Sequence, residues 1–106
     1  MADYLTVLTT TGSAEAAAAL ADSAVRARLA ACAQVDGPVT STYWWQGELE
    51  RAEEWRVLYK TTAERYAELE AHIRAEHGYD LPEVIVCGIP DGSRPYLDWI
   101  TEQTQR

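Results

Sequence analysis

The stretch that most limits how this chain can fold runs from Val39 to Thr62. Its first part, VTSTYWWQ, places Val39, Thr40, Thr42, Tyr43, Trp44 and Trp45 in a short window. β-Branched and aromatic residues of this kind suit a pleated, half-buried strand. Gly47 marks the tip of a turn, and EEWRVLYKTT returns with Trp55, Val57 and Tyr59 alternating onto one face. The reading is a long antiparallel hairpin. An aromatic surface of this breadth is not left in water, so the hairpin demands a cover, and self-association is the simplest one.

The rest of the chain frames the hairpin. DYLTVLTT (3–10) reads as a strand, Gly12-Ser13 as a turn, and Ser13 as a helix N-cap. SAEAAAALADSAVRARLA is dense in alanine, the strongest helix former. Within it Ala17, Leu20, Ala21, Ala24, Ala27 and Ala31 form one face of small residues that can sit close to a sheet. CAQV begins β structure that Asp36-Gly37-Pro38 should break as a kink or loop. After the hairpin, Tyr66, Leu69, Ile73 and His77 make the stripe of a second helix, with Gly78 as its left-handed stop. LPEVIVCGI reads as a fourth strand with Pro82 near its start, and SRPYLDWITEQTQ as a short terminal helix. The order β-α-β-β-α-β is that of a ferredoxin-like α+β sandwich, here with a C-terminal helix. Right-handed crossovers put both main helices on one face of an antiparallel sheet. With 106 residues, the expectation is a single domain over residues 1–106.

Charge narrows the partners. Seventeen acidic residues against nine basic ones give a net charge of −8, and phosphate backbones repel such a surface. Nucleic acid and anionic membranes are therefore not expected. Neither a basic, apolar leader nor a membrane-length apolar run is seen, which suggests a cytoplasmic protein. Cys32 and Cys87 lie in apolar company, LAACAQV and VIVCGIP, and read as buried, reduced thiols outside any CxxC motif.

The chemistry-bearing stretch is AEHGYDLPEVIV (75–86). His77 could be a metal ligand, a base, or a helix-end histidine hydrogen-bonded to free helix carbonyls. His72 lies five residues earlier, about 140° around the helix, and reads as a surface residue. Glu76, Asp80 and Glu83 are near His77 in sequence, and histidine with carboxylates suits several divalent transition metals. The spacing matches no closed zinc motif. A Cys32–His77 pair would make a thiol enzyme, but a thiol in apolar surroundings without a cationic neighbour is inert. The acids of EEW and ELE read as solvent-facing, and no nucleophile elbow or phosphate loop occurs. No catalytic residue and no organic cofactor are expected. An RNA-recognition domain shares the element order, but its basic aromatic signature is missing.

In order along the chain, LAACAQV, STYWWQGELE, YKTT, EHGYDLPEVIV and YLDWI together resemble the CutA divalent-cation-tolerance family. The similarity extends from Tyr4 to Ile100. It implies a ferredoxin-like fold and a homotrimer whose hairpins pair between neighbours. It also implies binding of copper(II) or another divalent metal without catalysis, with His77, Cys32 and Glu83 as candidate ligands. Tyr43, Trp45, Lys60, Tyr79, Pro82, Tyr96 and Trp99 match positions that pack around a cleft between subunits. One departure stands out: the family usually has His-Pro-Tyr where this chain has His77-Gly78-Tyr79. The resemblance leaves an alternative, a regulatory or structural trimer like the PII group that takes a small ligand or an unidentified protein partner at its subunit clefts.

Overall fold

The computed structural model describes residues 2–105. Four strands and three helices follow in the order β1 (Tyr4–Thr11), α1 (Ala14–Arg26), β2 (Cys32–Trp45), β3 (Glu48–Thr62), α2 (Tyr66–Glu76), β4 (Ile85–Gly88) and α3 (Arg94–Gln103), with a 3-10 turn over Ala63–Arg65. The sheet order is β2-β3-β1-β4, and every pairing is antiparallel. This is the expected ferredoxin-like α+β arrangement.

Strand alternation divides the sheet into two unlike faces. Val7, Val57 and Tyr59 point to one side and pack with Ala17 and Ala24 of α1 and with Leu69 and Ile73 of α2 in a single buried cluster. The Tyr59 hydroxyl, inside this layer, donates to the Leu20 carbonyl at 3.1 Å. Among the described residues, the second face carries α3, at one end. There Leu97 and Ile100 pack with Ala31, Tyr4 and Ile89. The Tyr4 and Thr101 hydroxyls are 2.6 Å apart, and the Lys60 ammonium lies 5.8 Å from the Tyr96 ring centre.

Several boundaries differ from the sequence reading. Ser13 caps α1 as expected, accepting from the Ala16 amide at 3.0 Å, but α1 stops at Arg26 rather than running to Ala30. Arg28 adopts φ 63°, while the amides of Arg28 and Leu29 bond back to the carbonyls of Val25 and Ala24. This is a Schellman stop with arginine where glycine is usual. It turns Leu29 and Ala30 into the core and leaves Ala27 exposed. Asp36-Gly37-Pro38 does not interrupt the sheet. It forms a bulge, between the Asp36↔Arg56 and Val39↔Glu54 pairs, within one continuous β2. The fourth strand is shorter than LPEVIVCGI, so Pro82 lies before it. His72 is half-buried, with Nε2 2.8 Å from the Ser23 hydroxyl, and so ties α2 to α1. The thiols are not both buried: Cys32 is half-buried and Cys87 is exposed, because β4 is an edge strand.

The hairpin is the most extended part. β1 ends against β3 at Thr11↔Trp55, so residues 39–54 pair only with one another, as a two-stranded ribbon. Gln46 and Gly47 turn its tip with φ 50° and 81°. Positive φ at both central residues is the twist-matched hairpin turn that favours glycine. The ribbon stretches the molecule to 45 Å against 25 and 22 Å in the other directions.

Candidate functional site

His77 leaves α2 rather than completing it. Its backbone is extended (φ −76°, ψ 144°), and its amide still bonds to the Ile73 carbonyl. Gly78 is therefore not the left-handed stop that its position suggests; among the described glycines only Gly37 and Gly47 have positive φ. The His77 ring does not cap its own helix. Nε2 lies 2.7 Å from the Thr10 carbonyl at the end of β1, and a carbonyl can only accept, so Nε2 carries the proton. Nδ1 accepts from the Tyr79 amide at 3.0 Å. Both ring nitrogens thus serve to pin the 77–79 turn onto the sheet.

That turn delivers Tyr79 to the base of the hairpin. Its ring lies 4.8 Å from the His77 ring, and its hydroxyl donates to Glu54 Oε2 at 2.9 Å. Gly12 makes room for it, since a Cβ there would stand 3.3 Å from the Tyr79 oxygen. Desolvation first, then the bond to Glu54 and the nearby negative charge, push the Tyr79 phenol up to about 12. Glu54 corrects the reading of EEW as solvent-facing: it is only 9% exposed. No ion pair involves it among the described residues.

Above this contact lies a cavity of about 630 Å³ between the hairpin and residues 79–83. Tyr43, Trp44 and Trp45 form its aromatic side, and Glu54, Asp80 and Glu83 its acidic side. Of the three candidate ligands, Glu83 lines this cavity, His77 stands behind it through Tyr79, and Cys32 lies elsewhere. Cys32 is opposite Lys60, which is opposite Thr6, whereas His77 meets Thr10. Four residues of strand, about 13 Å, separate those rows. Among the described residues no three His, Cys, Asp or Glu side chains are grouped so as to hold a metal ion. Sequence reasoning missed Glu54 and the Thr10 carbonyl, because they come into play only through Tyr79 and His77, 25 and 67 residues away in the chain.

A four-stranded antiparallel sheet with α1 and α2 on one side, a projecting ribbon and an acidic-aromatic cavity at its base define a ferredoxin-like protein of a recognisable kind. The sequence profile of the CutA1 divalent ion tolerance protein family matches residues 5–103. A Thermus thermophilus relative, a divalent-cation tolerance protein CutA, is 41% identical over 98 residues, covering 92% of this chain and 95% of its own. A chloroplastic CutA 1 of Oryza sativa is 35% identical over 95% of this chain, which spans 57% of that longer relative. The crystal structure of CutA from Xylella fastidiosa superposes with a TM-score of 0.95 at 32% identity, covering 98% of this chain and 100% of that one. The chain belongs to the CutA1 divalent ion tolerance family.

Proposed function

We propose that this chain acts as a homotrimer that binds copper(II) or a similar divalent ion without catalysis. The observation that carries the reading is membership of a family named for divalent-ion tolerance over nearly the whole chain. The assembly is supported by the uncovered ribbon. Trp44 and Leu81 are each 73% exposed and Leu49 53%, with Ile85 open on the edge strand, a patch of the kind that marks an interaction surface. The proposed metal ligands are His77, with Glu83 or Cys32. Their separation within one chain is consistent with a site completed between copies. Metal at Nδ1 of His77 would displace the Tyr79 amide. Calorimetric titration of copper(II), with zinc as competitor, tests this on the wild type, His77→Ala and Cys32→Ala. A stoichiometric event lost in His77→Ala is expected, and equal binding in all three proteins would remove the assignment.

A second reading is favoured by one observation, the cavity walled by Trp45, Tyr79 and Glu54. Here the trimer is a regulatory or structural module, and the cavity takes a small ligand.

A further inference from the structure

The chain has two Asp-Gly pairs, Asp36-Gly37 and Asp91-Gly92, and no asparagine. Aspartate followed by glycine is open to attack by the glycine amide nitrogen on the aspartate Cγ, because glycine has no side chain to obstruct it. The fold decides whether the attack happens. The nitrogen must be free of main-chain hydrogen bonds, and it must be held close to Cγ, since reaction follows near-attack geometry.

The structure treats the two pairs oppositely. Asp91 and Gly92 lie exposed in the irregular link between β4 and α3. The Gly92 amide makes no main-chain bond among the described residues. It donates instead to Oδ1 of Asp91 at 2.8 Å, which sets it against Cγ. No ion pair holds the Asp91 carboxylate among the described residues. Asp36-Gly37, in contrast, forms the bulge of β2, with the ladder continuing on both sides. Two N–H groups of the Arg56 guanidinium grip the Asp36 carboxylate. That hydrogen bonding holds it below the usual carboxylate range, against the protonation that ring closure needs. Gly37 is also closed in, since a Cβ there would stand 2.8 Å from Trp55 Cδ1. Packing keeps glycine at position 92 as well: a Cβ there would stand 3.3 Å from Leu97, which seats α3 on the sheet.

We propose that Asp91-Gly92 is a self-modification site, which isomerises to isoaspartate in the folded protein while the bulge protects Asp36-Gly37. The Gly92 nitrogen bonds to Asp91 Cγ, and the amide hydrogen and the carboxyl OH leave as water. Water then reopens the succinimide. Cleavage of the new N–Cγ bond restores aspartate. Cleavage at the main-chain carbonyl gives isoaspartate, with no net gain or loss of atoms. The main chain is then longer by one methylene just ahead of the Ser93 N-cap, which loosens the attachment of α3. The class of enzyme that recognises this product is an isoaspartyl methyltransferase. The inference goes beyond the metal and small-ligand readings and depends on neither.

The test ages the full chain for weeks at neutral pH and physiological temperature, in buffer and in enough guanidinium chloride to unfold it. Isoaspartate is labelled with an isoaspartyl methyltransferase and S-adenosylmethionine and located by peptide mass spectrometry. In buffer, at least tenfold more label is expected at position 91 than at 36. Equal label at both, or none at 91, would overturn the proposal. In the unfolded chain the two positions should converge. A tenfold lead that persists there would overturn the protective role of the bulge. Asp91→Glu keeps the charge but needs a larger, slower-closing ring, so total label should fall to the level of position 36; undiminished label would overturn the assignment. Aged protein should be cut faster than fresh protein by chymotrypsin at Tyr96 or Trp99, and an equal rate would remove the effect on α3.

Discussion

The two faces of the sheet are built from the same strands yet meet opposite fates. On one, Val7, Val57 and Tyr59 are sealed beneath α1 and α2. The other carries α3 at one end, and beyond the sheet the two-stranded ribbon takes Trp44 and Leu49 on one side and Trp45 on the other into the open. A period of two puts alternate residues on opposite sides, so each strand serves both faces at once. The lesson is a division of labour. The helical face encloses the core of the subunit, whereas the hairpin leaves apolar area open, which the proposed trimer would cover.

Paired substitutions can break this comparison. Leu69→Ala empties a fully buried site on the helical face and should cost about 2–5 kcal/mol. Trp44→Ser on the ribbon should leave the subunit fold intact and shift the oligomer toward monomer on dilution. Urea unfolding together with sedimentation reads both quantities. Loss of subunit folding in Trp44→Ser, with no change in assembly, would erase the distinction between the faces.

A smaller effect sharpens the picture of the sealed face. The Thr9 hydroxyl is buried without a hydrogen-bond partner among the described residues. Leaving such a group unsatisfied is costly, so the near-isosteric Thr9→Val should stabilise the protein by about 1 kcal/mol. A loss of stability on chemical denaturation would show that the hydroxyl has a partner.

The smallest effect is alkaline. Burial raises the Tyr59 phenol well above its ordinary value of 10, and Tyr79 is raised to about 12. Both are therefore held neutral in the fold at pH values where the unfolded chain ionises them. Their stabilising contribution is complete below pH 10 and is lost as pH climbs from 10, for Tyr79 by about pH 12. Tyr79→Phe should flatten part of the fall in stability between pH 10 and about 12, with ultraviolet absorbance following phenolate formation. An unchanged slope would mean that Tyr79 ionises equally in both states.

Much of the sealed face was legible in the chain. Leu69 and Ile73 sit where a 3.6-residue period puts them, Ser13 caps where its type and place suggest, and the long hairpin turns at Gly47. The bulge at Gly37-Pro38 was read as a break, since glycine and proline signal departure from a ladder without saying whether it resumes. The end of α1 was missed because its stop residue is Arg28, adopting the left-handed conformation that glycine normally marks. Glu54 was missed because alternation assigns it a face but cannot say what lies over that face.

Local rules thus determined the elements and their order, through side-chain period, helix propensity and turn chemistry acting over a few residues. The family resemblance carried in five short motifs is of the same kind. The tertiary structure alone decided that Nε2 of His77 meets Thr10, that Tyr79 reaches Glu54, and that Cys32 lies on a different row from His77. Those contacts join residues 25 to 67 positions apart. Such pairings are set by packing of the whole chain, which no local pattern encodes.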